Sequence, residues 1–393
     1  MEAHIVEWLN LLVRWGHMIT GIAWIGASFY FIFLENNLNR TKNLREELAG
    51  NLWAVHGGGF YYLEKYKNSP QTIPKDLHWF KWEAYFTGLS GFALLCIVYY
   101  YNANAYMIDP SVMALTSTQA IGIGIGTIIG SWIVYDLMCK SSLVKQQKLF
   151  AMISFLLLVA LTYGLTHLLS ARAAYIHIGA TIGIIMVLNV FFVIIPGQKI
   201  MVASAIKGEV PDPSYGQKAL TRSIHNNYMT LPVLFIMISN HFPSTFGNEN
   251  AWLVLAGIML AGTAIRHWFN LRGKKITNYW LLPFASALLV SLVIYTKPES
   301  KAIEQLNTKK VSDMEIMQII NKHCISCHSS KPTSTVFSQA PKGLMFDNLN
   351  IILANKEKIN AQTVNAQIMP LGNTTKMNED ERLKLGSWIE QNN

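Results

Sequence analysis

The chain has 393 residues, of which 51% are hydrophobic and only 14% charged, with a formal net charge of +9. That balance is far from an average soluble composition and points to a membrane class. The excess positive charge needs no nucleic-acid partner, because loops facing anionic lipid account for it.

Eight apolar segments, near 9–34, 82–101, 119–138, 149–169, 173–195, 225–242, 252–268 and 277–296, approach the ~20 residues that a helix needs to cross a bilayer. The first contains His17 in the run from Arg14 to Gly26, eight residues past Leu9 and so roughly 12 Å below the outer edge. It is too long for a signal peptide and follows Glu2 and Glu7 instead of a basic stretch, so no cleavable leader is expected. The connection to the second segment contains His56-Gly57-Gly58-Gly59-Phe60-Tyr61-Tyr62. Its glycines leave backbone amides free to approach a ligand, or else they make a flexible re-entrant loop. Cys96 and Cys139, within or at the end of later segments, read as packing residues.

The fifth segment carries His177, four residues past Ala173 and about 6 Å deep. The sixth is the weakest: it contains Pro232 and reaches full length only with His225, Asn226 and Asn227, so a kinked or partly unwound helix is expected. The run Arg222-Ser223-Ile224-His225-Asn226-Asn227-Tyr228 offers donors and acceptors to a planar polar heterocycle. His56, His225 and Asn226 are therefore the candidate catalytic residues, the plainer reading being a polar helix start. His267 reads as an interfacial residue beside Arg266 and Arg272.

Ionisable side chains within a bilayer are costly unless paired or liganded. His17 and His177, each accompanied by glycines, read either as axial ligands of a non-covalent haem b near the outer face or as histidines bonding across helices. His241 and His167, at outer helix ends, are substitutes for either one.

Loop charge sets the orientation, since Lys and Arg accumulate on the cytoplasmic side. Residues 35–81, 139–148, 196–228 and 269–276 hold seventeen Lys and Arg, whereas 102–118, 170–172 and 243–251 hold only Arg172. Both termini are expected outside. Residues 298–311, polar and lysine-bearing, form the expected linker to a domain over 312–393.

That domain contains Cys324-Ile325-Ser326-Cys327-His328. In a C-x-x-C-H run the two thiols add across the haem vinyl groups and the adjacent imidazole reaches the iron. A zinc or redox site is the plainer reading, but a zinc ribbon needs a second ligand pair, and no Cys follows Cys327. Met369, followed by Pro370 and Gly372, is the candidate second axial ligand, ahead of Met345 and Met377. Helical character on both sides, at 313–323 and 379–390, completes a small module that resembles a monohaem cytochrome c. The periplasmic assembly of such sites agrees with the loop charges. The predicted fold is all-α: a bundle of eight spanning helices over 1–297, then a cytochrome c-like domain.

The run 15–36, the His56-Gly-Gly-Gly-Phe-Tyr segment, Arg172-Ala-Ala-Tyr-Ile-His-Ile-Gly179, Phe191-Phe-Val-Ile-Ile-Pro-Gly-Gln198 and Ser223-Ile-His-Asn-Asn-Tyr-Met-Thr-Leu-Pro232 resemble the bacterial membrane-bound urate oxidases, or urate hydroxylases. The resemblance covers essentially the whole chain, and it implies a multi-spanning inner-membrane protein with a fused periplasmic cytochrome c. It further implies oxidation of urate to 5-hydroxyisourate, with electrons passed through haem c to an acceptor of the respiratory chain. From the residues alone, a quinol-oxidising or relay cytochrome and a transporter or sensor with a haem appendage stay open.

Overall fold

One long helix, α1 (Glu2–Asn37), opens the computed structural model, which describes residues 2–297 and 311–392. Its 36 residues span roughly 54 Å, more than the hydrocarbon core of a bilayer. α1 packs on α2 (Trp82–Leu94), which runs on through a π segment, Leu95–Tyr100, to the short α3 (Ala103–Tyr106). α4 (Ser117–Lys140) starts from a Thr116/Gln119 capping box, and α5 (Gln147–Thr166) returns beside it. α6 (Ala171–Asn189) continues through a second π segment, Val190–Ile194, into α7 (Ile195–Ile206). Pro196 explains that register change, because it has no N–H to give to the i−4 carbonyl. α8 (Pro213–Ser239), the short α9 (Pro243–Phe246), α10 (Ala251–Gly273) and α11 (Leu281–Tyr295) complete this part.

Helices thus occupy all eight apolar segments. By length and composition six continuous helical stretches among the described residues can cross a membrane, α6 and α7 forming one of them. α8 is long but too polar to be among them, and α11 has only 15 residues. Of the two expectations at Pro232, a kink or a partial unwinding, α8 does not unwind: it stays α-helical through the proline.

The bundle exposes large apolar side chains and holds a group of polar ones inside its otherwise apolar core. Trp8, Leu12, Trp15, Ile19 and Ile22 of α1 face outward, whereas Asn189, Arg222, Asn226, Asn227, Arg266 and Asn270 are buried. Outward apolar and inward polar is the distribution that lipid rewards. α6 lies at the centre, with Ala173, Ala174, Tyr175, Ile178 and Ile182 almost fully covered. Small residues bring its neighbours close: a Cβ on Gly179 would sit 2.5 Å from Ile236 of α8, and one on Gly88 would sit 2.8 Å from Val187.

The chain is not all-α. Between α1 and α2, β1 (Leu48–His56) pairs antiparallel with β2 (Gly59–Tyr66), with Trp53 opposite Tyr62 and His56 opposite Gly59. Gly57 and Gly58, at φ +56° and +79°, form the two-residue turn, whose left-handed backbone matches strand twist. This corrects the reading of the glycine run as a ligand loop: its glycines close a hairpin. Glu35 ties the hairpin to α1 through Lys65 at 2.5 Å and Arg40 at 2.8 Å.

The C-terminal domain comprises α12 (Asp313–His323), α13 (Leu349–Ala354), α14 (Lys356–Ile359) and α15 (Glu379–Gln391). Capping boxes start α12 at Ser312/Glu315 and α15 at Asn378/Glu381. Ile316, Ile320, Phe346, Ile352, Leu385, Trp388 and Ile389 form its core, and Val311 packs with them, one residue ahead of the expected boundary. The rest of the expected linker, 298–310, lies outside the described residues. The domain rests on the charge-poor end of the bundle. A Cβ on Gly372 would meet backbone oxygens of Ala105, Asn104 and Ile108 at 2.9–3.2 Å, and one on Gly247 would lie 2.6 Å from Ala366 Cβ. A cavity of ≈ 550 Å³, lined by Arg172 and Asp109 on one side and Arg382 and Glu379 on the other, lies between the two parts.

Candidate functional site

α8 carries polar side chains toward two neighbouring layers. On the side of α4 and α6, Asn189 donates from Nδ2 to Asn226 Oδ1 at 2.8 Å and to the Tyr135 hydroxyl at 3.1 Å. Tyr135 and His225 Nδ1 are 2.9 Å apart. The phenol oxygen accepts from Asn189, and it also lies within hydrogen-bond distance of the imidazole. Arg222 donates to Asn189 Oδ1 at 3.0 Å and to Asp136 at 2.6 Å, and Lys140 meets the other oxygen of Asp136 at 2.6 Å. A hydrogen-bonded chain therefore runs from the Asp136–Arg222 pair through Asn189 and Tyr135 to His225. Phe150 stacks on the imidazole at 4.8 Å and fixes its plane.

On the side of α1 and α10, Arg266 Nε donates to Asn227 Oδ1 at 2.9 Å and Nη2 to Asn270 Oδ1 at 3.1 Å. Asn270 in turn donates to Asn227 Oδ1 at 3.0 Å. Tyr228 and His267 Nδ1 lie 2.6 Å apart.

His225 and Asn226 of the predicted set share the first cluster. His56 does not join it, being exposed at the hairpin turn. Sequence reasoning missed Tyr135, Asp136, Asn189, Arg266 and Asn270, all polar residues within apolar helices. That polarity was the available signal, and attention to histidine passed over it.

His17 and His177 do not form an axial pair. His17 Nδ1 lies 3.1 Å from Thr87 O and 3.0 Å from Ser90 Oγ, and its ring meets α2 at Gly91. His177 instead lies by Tyr99 and Tyr100, eight or nine residues further along the same helix path and so roughly 12 Å away in height. Two imidazoles on one iron are roughly 4 Å apart, at about 2 Å per Fe–N bond, so these two do not fit a shared haem b. Nε2 of His177 has no partner, but it abuts Gly124 of α4, where a Cβ would come within 2.4 Å. Helix and tyrosines fill the room a macrocycle would need beside it. Of the substitutes, His167 is exposed and hydrogen-bonded to Tyr163 O at 2.7 Å, and His241 is exposed.

In the C-terminal domain, α12 ends at the cysteine motif. The amides of Cys327 and His328 donate to Cys324 O at 3.1 and 2.8 Å, so both thiols and the imidazole belong to one turn. The thiols are free. Burial, with the neighbouring Cys327, pushes the Cys324 thiol up to about 12, which makes it a poor thiolate at neutral pH. His328 Nδ1 is 3.0 Å from Leu344 O, a contact that orients the ring and leaves Nε2 available, while burial lowers its basicity. Arg382 donates to Met369 O at 2.7 Å and pins the loop carrying that thioether. Met377, by contrast, is packed into the core. Two free thiols, an oriented imidazole and an apolar surround fit a covalent haem.

Comparison with known proteins gives one finding. A family model described as urate oxidase N-terminal matches residues 3–297. No curated protein and no solved structure matches the chain.

Proposed function

The chain belongs to the urate oxidase N-terminal family, and on that premise we propose that it oxidises urate to 5-hydroxyisourate in the membrane and passes the electrons to a covalent haem in its C-terminal domain. The family match over 3–297 carries this reading, and the Cys324–His328 motif in a domain resting on the bundle extends it. Addition of one water oxygen to urate releases two electrons and two protons. An enzyme that hands both electrons to iron forms no hydrogen peroxide.

Cys324 and Cys327 would hold the haem by thioether bonds, and His328 and Met369 would bind its iron. When bound, it would supply a one-electron acceptor, which a respiratory-chain partner would have to reoxidise after each of the two electrons that urate releases. The substrate's protons fall to the bundle. His225, oriented by Tyr135 and Phe150, is the proton acceptor within the bundle, and Asn226 and Asn189 hold the phenol–imidazole pair in place. The loop charges support a C-terminal domain on the periplasmic face of the bacterial inner membrane, a reading that requires α8 and α11 to cross as well.

Anaerobic addition of urate to the purified full chain, with the c-haem absorption bands monitored, tests the reading. Reduction of the haem is expected, and in air no hydrogen peroxide should accumulate. A haem that urate leaves oxidised but a quinol reduces would replace this reading with that of a relay cytochrome.

A further inference from the structure

Arg222 and Arg266 are both buried in apolar surroundings, at 5% and 8% exposure, yet only one has a counter-charge. Asp136 lies 2.6 Å from Arg222. Among the described residues no carboxylate forms an ion pair with Arg266, whose two hydrogen bonds go to the neutral amides of Asn227 and Asn270. Its guanidinium carbon lies 4.2 Å from the ring centroid of Phe29, a contact that attracts a cation without neutralising it. Asn227 is fully buried, and its Nδ2 has no hydrogen-bond partner. An uncompensated cation and an orphaned amide donor thus adjoin one another between α1, α8 and α10. In a low-dielectric interior both are costly unless something else completes them.

We propose that Arg266, Asn227 and Asn270 bind an organic anion, and that this anion is the purine substrate itself. The identity of the ligand rests on the function proposed above; the need for negative charge rests on the cluster alone. Urate is a planar monoanion at neutral pH, edged by carbonyl oxygens. A guanidinium fork with N–H groups still uncommitted suits that edge better than an ammonium would, and the orphaned Asn227 amide supplies a further donor. The other cluster, with its arginine already neutralised, makes no such demand.

Asn227→Asp is the decisive variant, since it installs the missing counter-charge beside Arg266. The full-length protein in detergent is unfolded thermally with and without urate, and KM and kcat are measured separately. Urate should stabilise the wild type. Asn227→Asp should be more stable than wild type without urate, should gain no stability from urate, and should raise KM on the order of a hundredfold, more than it lowers kcat. Arg266→Gln should also raise KM, and Arg266→Lys should do so less. Wild-type KM and wild-type stabilisation by urate in Asn227→Asp would overturn the anion site while leaving urate oxidation standing. A wild type that urate stabilises but that does not oxidise it would overturn the proposed reaction and leave the site standing. A wild type that urate neither stabilises nor reduces would overturn both.

Discussion

Asp136 lies 2.6 Å from both Arg222 and Lys140, but the two contacts differ in worth. Lys140 is 70% exposed, so water screens it, whereas the Arg222 side chain is 6% exposed. Asp136→Asn should therefore destabilise the protein by about 3 kcal/mol by leaving a buried guanidinium unpaired. Lys140→Ala should change the melting temperature little, and comparison of the two by thermal unfolding checks the distinction. At Glu381 the balance depends on pH. Burial raises its pKa, but hydrogen bonds from Lys322, the Asn378 amide and His323 outweigh that and hold the carboxyl at about 2, against an ordinary 4.5. A depressed folded-state value means that the stabilisation is complete above pH 4.5 and is lost as pH falls toward 2. Acid titration followed by fluorescence should show Glu381→Gln losing that component of acid sensitivity. A variant whose acid transition matches wild type would remove Glu381 from the account. The chemistry of individual residues was readable where spacing is diagnostic, as at Cys324, Cys327 and His328. It was not readable at Arg266, because which charge lacks a partner depends on neighbours from other helices.

At the level of elements, the hairpin is the clearest departure. Three glycines after a histidine resemble a ligand loop when read alone, but strands on both sides turn Gly57 and Gly58 into its two left-handed positions. Gly57→Val should strain that turn by roughly 1–2 kcal/mol. Because the turn lies outside the buried clusters, urate KM should be unchanged in this variant and in His56→Ala. A tenfold rise in KM for His56→Ala would return the hairpin to the active site. The persistence of α8 through Pro232 has a packing cause: a Cβ on Gly262 of α10 would lie 3.3 Å from Leu231 and 3.6 Å from Pro232, so a neighbouring helix packs closely against the interruption. No feature within α8 alone announced that support.

Across the whole molecule, the two parts meet through glycines. Gly372, at φ +60°, lies where a Cβ would approach three backbone oxygens of the outer loop, and it follows Met369 by three residues. Gly372→Val should displace the C-terminal domain from the bundle and slow reduction of the haem by urate at least tenfold, with covalent haem retained on denaturing gels. Unchanged reduction kinetics would show that docking through this loop does not limit transfer. Composition, apolar segment length and the C-x-x-C-H spacing determined by themselves that the chain has helices long and apolar enough to cross a membrane and, after them, a cysteine motif within one turn. Those signals are local, set by bilayer thickness and by covalent reach along one turn. Tertiary structure alone decided that His17 and His177 are apart, that the glycine run is a turn, and that Arg266 stands without a counter-charge. Each of those depends on distances between helices far apart in sequence, and no periodicity or spacing along a single chain encodes them.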